Sequence, residues 1–181
     1  MFLGVEYQID GKPVRVATGM LGMSLPVATR GGGFRLIPMG QGEPFVDQSP
    51  GLFQGWPPGD TVTLEMLGKP TGLWQKWRSR PVKIAVACFF DTDDLGYSRR
   101  HNLKPGEWLQ GALLEKKTFE RVYFVIVPQR GTAPSDDSWW PRVVSAANRT
   151  QLLTVTQSRR NLAATKFVVG KQAQAGCDFG F

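Results

Sequence analysis

The side chains in this sequence best suited to chemistry are cations set among aromatic rings. Trp74-Gln75-Lys76-Trp77-Arg78-Ser79-Arg80 places two tryptophans and three cations in seven residues. That mixture binds single-stranded nucleic acid, since bases stack on the rings while the cations neutralise phosphates. The same segment also suits two buried rings surrounded by solvated cations. Ser98-Arg99-Arg100-His101 follows the acidic run Asp91-Thr92-Asp93-Asp94 and is expected in a hairpin loop, where Arg99 and Arg100 would reach phosphates. Trp139-Trp140-Pro141-Arg142 puts adjacent tryptophans on an extended segment, so their side chains leave on opposite sides. One is expected in the core; the other, taken as Trp140, is expected at the surface with Arg142 for stacking or cation–π contact.

Other candidate chemistry is weaker. His101 is the only histidine and the natural general base near neutral pH, but no serine or cysteine nucleophile motif accompanies it, and it is read as a surface residue. Asp91, Asp93 and Asp94 lack the ligand spacing and closing glutamate of a calcium loop. Cys88 and Cys177 with one histidine make neither a zinc site nor a disulfide framework; Cys88 sits in an apolar run and reads as a small buried hydrophobe. Gly31-Gly32-Gly33 precedes no helix and lacks the Lys-Ser/Thr ending of a phosphate loop, so it is read as a flexible turn. No metal or cofactor is expected.

The elements that must position these residues are short. Twenty-one glycines and thirteen prolines are scattered through 181 residues, which favours strands and loops over long helices. Val5 to Ile9 and Val14 to Val16 flank the turn signal Asp10-Gly11-Lys12-Pro13 and predict a hairpin. Phe34 to Pro38, Thr61 to Met66 and Trp108 to Leu114 predict further strands, the second with a helical turn as its alternative. The apolar runs Val82 to Phe90 and Val122 to Val127 predict central strands. Helical signals are confined to Gly72 to Arg78 and to Pro141 to Ala147, whose proline suits a first helical turn. Residues 42 to 60 read as a long loop. The length fits one domain, drawn at residues 1–147, with a partly extended or flexible C-terminal extension at 148–181.

Hydrophobic residues make up 41% of the chain and charged residues 20%, as in a globular protein. No run approaches the roughly 18 apolar residues of a membrane span, and Glu6 and Asp10 interrupt the only stretch resembling an export signal. A cytoplasmic location away from membranes is expected. The net charge of +7 points to a polyanionic partner, because a basic surface gains affinity by releasing the counterions of phosphates.

Several segments taken in order resemble the SOS response-associated peptidase (SRAP) family, in particular divergent members carried by bacterial mobile elements. Met1-Phe2-Leu3-Gly4 stands where family members begin Met-Cys-Gly-Arg, and Phe34 to Met39 is similar to their Trp-Gly-Leu-Ile-Pro strand. Cys88-Phe89-Phe90-Asp91 resembles the Gly-Phe-Tyr-Glu strand end, Gly111 to Glu115 the Ala-Gly-Leu-Trp-Glu strand, and Tyr123 to Val127 its neighbour. Asp137 to Pro141 is similar to the His-x-Arg-Met-Pro motif. The resemblance spans roughly residues 1 to 145 and implies a β-rich α+β fold with a mixed barrel or sheet.

The family's chemistry uses the cysteine exposed once the initiator methionine is removed: its amine attacks the aldehyde of an abasic site and its thiol closes the adduct. Here Phe2 offers no thiol and is bulky enough to keep Met1 in place, Asp137 replaces the histidine, and Asp91 replaces the glutamate. The resemblance therefore implies a non-catalytic or catalytically altered DNA-binding protein of a phage, plasmid or integrative element, contacting single-stranded or junction DNA. Its nucleic-acid-binding residues would be Trp74, Lys76, Trp77, Arg78, Arg80, Arg99, Arg100, Trp140 and Arg142. Two alternatives remain open: a module that inhibits a host defence or repair protein, since exposed tryptophan and arginine anchor interfaces, and an enzyme using the Met1 amine as its nucleophile.

Overall fold

Asp10 and Gly11 have positive φ values, 51° and 76°, the sign that a type I′ hairpin turn requires of both central residues. They join β1 (Phe2–Ile9) to β2 (Lys12–Ala17), which pair antiparallel from Gly4 opposite Ala17 to Ile9 opposite Lys12. The predicted hairpin is thus present, with β1 starting at Phe2 instead of the expected Val5. The computed structural model describes residues 1–20, 22–40, 56–68, 74, 77, 79–93, 95–116, 119–128 and 139–145. The extension at 148–181 and residues 42–55 of the expected loop lie outside them, as does most of the 72–78 segment.

Among the described residues the fold is β-rich with one short helix. The strands that follow are β3 (Ser24–Ala28), β4 (Phe34–Pro38), β5 (Thr61–Thr63), β6 (Ser79–Ile84), β7 (Cys88–Thr92), β8 (Ser98–Asn102), β9 (Glu107–Lys116), β10 (Phe119–Pro128), β11 (Trp139–Pro141) and β12 (Val143–Ser145). A four-stranded sheet has the order β2-β1-β7-β8. An eight-stranded sheet runs β11-β10-β9-β6-β3-β4, with β12 added to β9 and β5 lying parallel to β10. The larger sheet curls back on itself: Met39 bridges Val122 in parallel, and the Gly40 N–H donates to the Val122 carbonyl at 2.8 Å.

This seam needs a glycine. A Cβ on residue 40 would run into the Tyr123 ring and the Gly59 carbonyl. Gly40→Ala is expected to destabilise the fold by about 2 kcal/mol through overpacking. The measurement is a urea titration, in which the midpoint falls while the slope holds; an unmoved midpoint would mean that the seam yields without cost.

Val122 to Val127 forms a central strand, as its apolar character predicts; Trp108 to Leu114, expected as a further strand, is central too, and both faces of β9 and β10 are covered. Leu109, Leu113, Val122 and Phe124 join Val5, Tyr7 and Phe89 of the smaller sheet in the main core. Ala112, Leu114, Tyr123 and Val125 face a second core with Val62, Leu67 and Trp74.

Three expectations change. The run Val82 to Phe90 is two strands in different sheets: β6 ends at Ile84, and Ala85 and Ala87 donate to the carbonyls of Pro26 and Glu6, both at 2.8 Å, as the chain crosses over. Thr61 to Met66 is strand for three residues only, because the Thr63 hydroxyl accepts the Met66 N–H at 3.0 Å and caps α1 (Leu64–Gly68). Pro141 opens no helix. Arg142 donates its backbone N–H to Val125 at 2.7 Å and accepts from Gln110 at 2.8 Å, which keeps the segment extended between β10 and β9. No helix among the described residues is long and apolar enough to cross a membrane.

Candidate functional site

Strands β3 and β6 are paired in register at one position, Val27 opposite Ile84, and beyond it they part. Val27 to Arg30 on one side and Arg80 to Lys83 on the other line an open cleft of about 700 Å³, with Arg35 and Leu113 completing the lining. Pro81 suits a strand whose outer edge is left open, since it has no N–H to leave unsatisfied.

Four cations line this cleft: Arg30, Arg35, Arg80 and Lys83. Arg35 Nη2 donates to Glu120 Oε1 at 2.9 Å; Arg80 pairs with Glu115 and stands 3.9 Å from Glu120. Register explains why they meet. Arg35 is opposite Val27 and Arg80 opposite Leu113, and both partners face the main core, so the core-facing row of the larger sheet ends in paired charges. The Lys83 ammonium lies 4.0 Å above the Trp108 ring.

A second cluster lies around Phe2, which packs on Phe124 toward the Ile126 end of β10. Phe2 sits opposite Asp91 in the β1–β7 ladder. The Asp91 side chain is 1% exposed, and its carboxylate accepts from Arg99 Nε at 3.3 Å and Nη2 at 2.8 Å and lies 2.8 Å from His101 Nε2. Burial alone would push this carboxyl up, but the Arg99 and His101 hydrogen bonds and charges hold it below the ordinary carboxylate range. The His101 ring stacks on Phe89 at 4.7 Å and leans on Trp140 at 4.6 Å, so this histidine is a structural partner of Asp91 and not the free surface residue expected.

Beside the cluster is a cavity of about 380 Å³ lined by Met1, Phe2, Thr18, Asp60, Thr61, Ile126 and Trp139. The Met1 amine donates to the Thr92 carbonyl at 3.1 Å and hydroxyl at 3.3 Å. Phe2 contributes packing: its ring meets Phe124 edge-on at 5.0 Å. Asp60 accepts the Gly19 N–H at 2.6 Å, yet burial outweighs the Gly19 and Asp60 backbone hydrogen bonds and pushes its carboxyl up. A carboxyl raised in the folded state favours folding below its unfolded pKa, and that contribution is lost as pH rises through the folded value. Asp60→Asn, which keeps an acceptor for Gly19, is therefore expected to melt above the unaltered protein at pH 8, with the difference closing near pH 3. Identical melting at both pH values would remove the buried charge from the account.

The expected nucleic-acid residues do not share one surface. Trp74 is 5% exposed and meets Tyr123 edge-on at 4.9 Å, which takes its ring away from base stacking; half-buried Trp77 stacks on Trp56 at 4.5 Å. Lys76, Arg78 and Asp137 lie outside the described residues. Arg99 and Arg100 are not in the hairpin loop but in β8, since the chain turns earlier, where the Asp93 carboxylate accepts from the N–H groups of Leu95 and Tyr97 at 3.0 and 2.8 Å. Arg100 pairs with Glu6 at 3.0 Å. The two adjacent tryptophans do part, but Trp140 is the one against the core, edge-on to Phe89 at 5.5 Å, and Trp139 lines the cavity. Arg142 is half-buried and donates to the Gln110 amide oxygen. Cys88 is buried, as expected, with its thiol pushed up by burial. Of the expected residues that are described, only Arg80 lines the cleft.

Arg30, Arg35 and Lys83 were not among the expected binding residues. Arg35 and Lys83 each stand alone in strand-forming stretches, and Arg30 precedes the glycine turn, so no local cluster marks them. No family model, no curated protein and no solved structure matches the chain.

Proposed function

We propose that the protein is a non-catalytic DNA-binding protein that seats the phosphate backbone in the cleft between β3 and β6. The observation that carries this is the cleft itself: two strand edges diverge and four cations line the opening, in a chain of net charge +7. Two of the four, Arg35 and Arg80, are held by Glu120 and Glu115. Exposed pairs of this kind contribute only about 0–1 kcal/mol, so a phosphate can replace a carboxylate on either guanidinium at little cost. We include in this proposal the resemblance to the SRAP family: Phe2, packed in the core against Phe124, then stands where that family carries its reactive cysteine, and the Asp91 carboxylate is engaged by Arg99 and His101. That arrangement supports loss of the covalent reaction.

Anisotropy titration of a labelled oligonucleotide across a salt series tests the proposal. Affinity should fall linearly on a log–log plot, with a slope of about −0.7 per phosphate contacted on a single strand. No binding at low salt would end it.

A further inference from the structure

We infer that the cleft selects single strands, and that Phe34 and Phe119 supply the selectivity by stacking unpaired bases; the inference rests on the DNA-binding proposal above. Phe34 is 47% and Phe119 61% exposed. Phe34 lies opposite Ala28, which lines the cleft, and immediately precedes Arg35; Phe119 immediately precedes Glu120, the residue that holds Arg35. Successive side chains of a strand leave on opposite sides. The Arg35 and Glu120 heads therefore meet on the core-facing side of the larger sheet, while the two rings stand on its outer side, flanking the seam.

Exposed rings beside a cationic cleft suit one kind of polyanion better than others. A backbone held by Arg30, Arg80 and Lys83 carries its bases past the seam, where unpaired bases can stack on the rings; paired bases keep their faces inside the duplex. The charge of the cleft favours a nucleic acid over an apolar protein segment as the occupant, because a protein surface would have to bring carboxylates to the same cations.

The test compares the unaltered protein with Phe34→Ala, Phe119→Ala and the double variant, using labelled oligothymidylate, a labelled hairpin duplex and inorganic polyphosphate as competitor. Both rings are exposed, so the variants should fold, and unchanged melting confirms it. Each alanine is expected to lower single-strand affinity about tenfold, and the pair about a hundredfold, while duplex affinity and polyphosphate competition hold steady. Phe119→Trp should keep or improve single-strand binding. Unchanged single-strand affinity in the double variant, or equal losses for single strand and duplex, overturns the stacking role and leaves the cationic cleft standing. If the unaltered protein binds none of the three polymers at low salt, both the cleft proposal and this inference fall.

Discussion

Replacing Arg30 and Lys83 together by alanine is expected to weaken single-strand DNA binding roughly sixtyfold at about 50 mM salt, because each phosphate contact contributes about 0.7 to the slope of log affinity against log salt. These two cations matter most for a reason of charge balance. Arg35 and Arg80 are matched by Glu120 and Glu115, so the net positive charge of the cleft comes from Arg30 and Lys83. The slope itself should become shallower by about 1.4, which separates lost phosphate contacts from general damage. Removing Lys83 also removes its contact with Trp108, worth about 0.5–1 kcal/mol at an exposed site, so the variant should remain folded at room temperature. The converse variant, Glu120→Gln, relieves Arg35 of its counter-charge and should raise affinity. If the double alanine variant keeps both affinity and slope, the phosphate path lies elsewhere on the protein.

Asp91→Ala is expected to destabilise the fold by about 3 kcal/mol, since a buried carboxylate and its charge-assisted hydrogen bonds disappear together. Its partners are unequal: the Arg99 side chain is about half exposed and can be rehydrated, whereas His101 is wedged between Phe89 and Trp140. Because the folded state holds the Asp91 carboxyl low, its contribution is complete above the unfolded value of about 3.9 and fades as pH falls through the lower folded value. Urea titrations of protein and variant should therefore differ fully at pH 7 and converge in acid. A gap that persists unchanged at low pH would point to lost packing instead of lost charge. Asp91→Ala should leave DNA affinity per folded molecule as it was, since Asp91, Arg99 and His101 do not line the cleft.

Much of the β frame was legible in the residues alone, and the reason is physical. The Asp10-Gly11 turn supplies the positive φ values a tight hairpin needs, and the short, β-branched and aromatic run Tyr123 to Val127 favours a strand with both faces covered. Such signals are local, so they need no knowledge of the partner strand. Composition also marked Cys88 as buried and the chain as basic. The sequence by itself thus marked the first hairpin and the strands β9 and β10, whereas β3 carries no such signal, β8 reads as a loop and β12 as part of a helix until their partners are in place.

Tertiary structure decided which strands meet, and with that the site. Val82 to Phe90 has one hydropathy but two destinations, because Ala85 and Ala87 bond to strands far off in the chain. The segment Trp74 to Arg80 looks like a binding cluster in one dimension, yet Trp74 packs edge-on to Tyr123 in the second core, while Arg80 lines the cleft. Arg30, Arg35 and Lys83 come from separate stretches and acquire a common role only where β3 and β6 diverge. A cleft is a gap between elements distant in sequence, and no residue carries a local mark of standing at its edge.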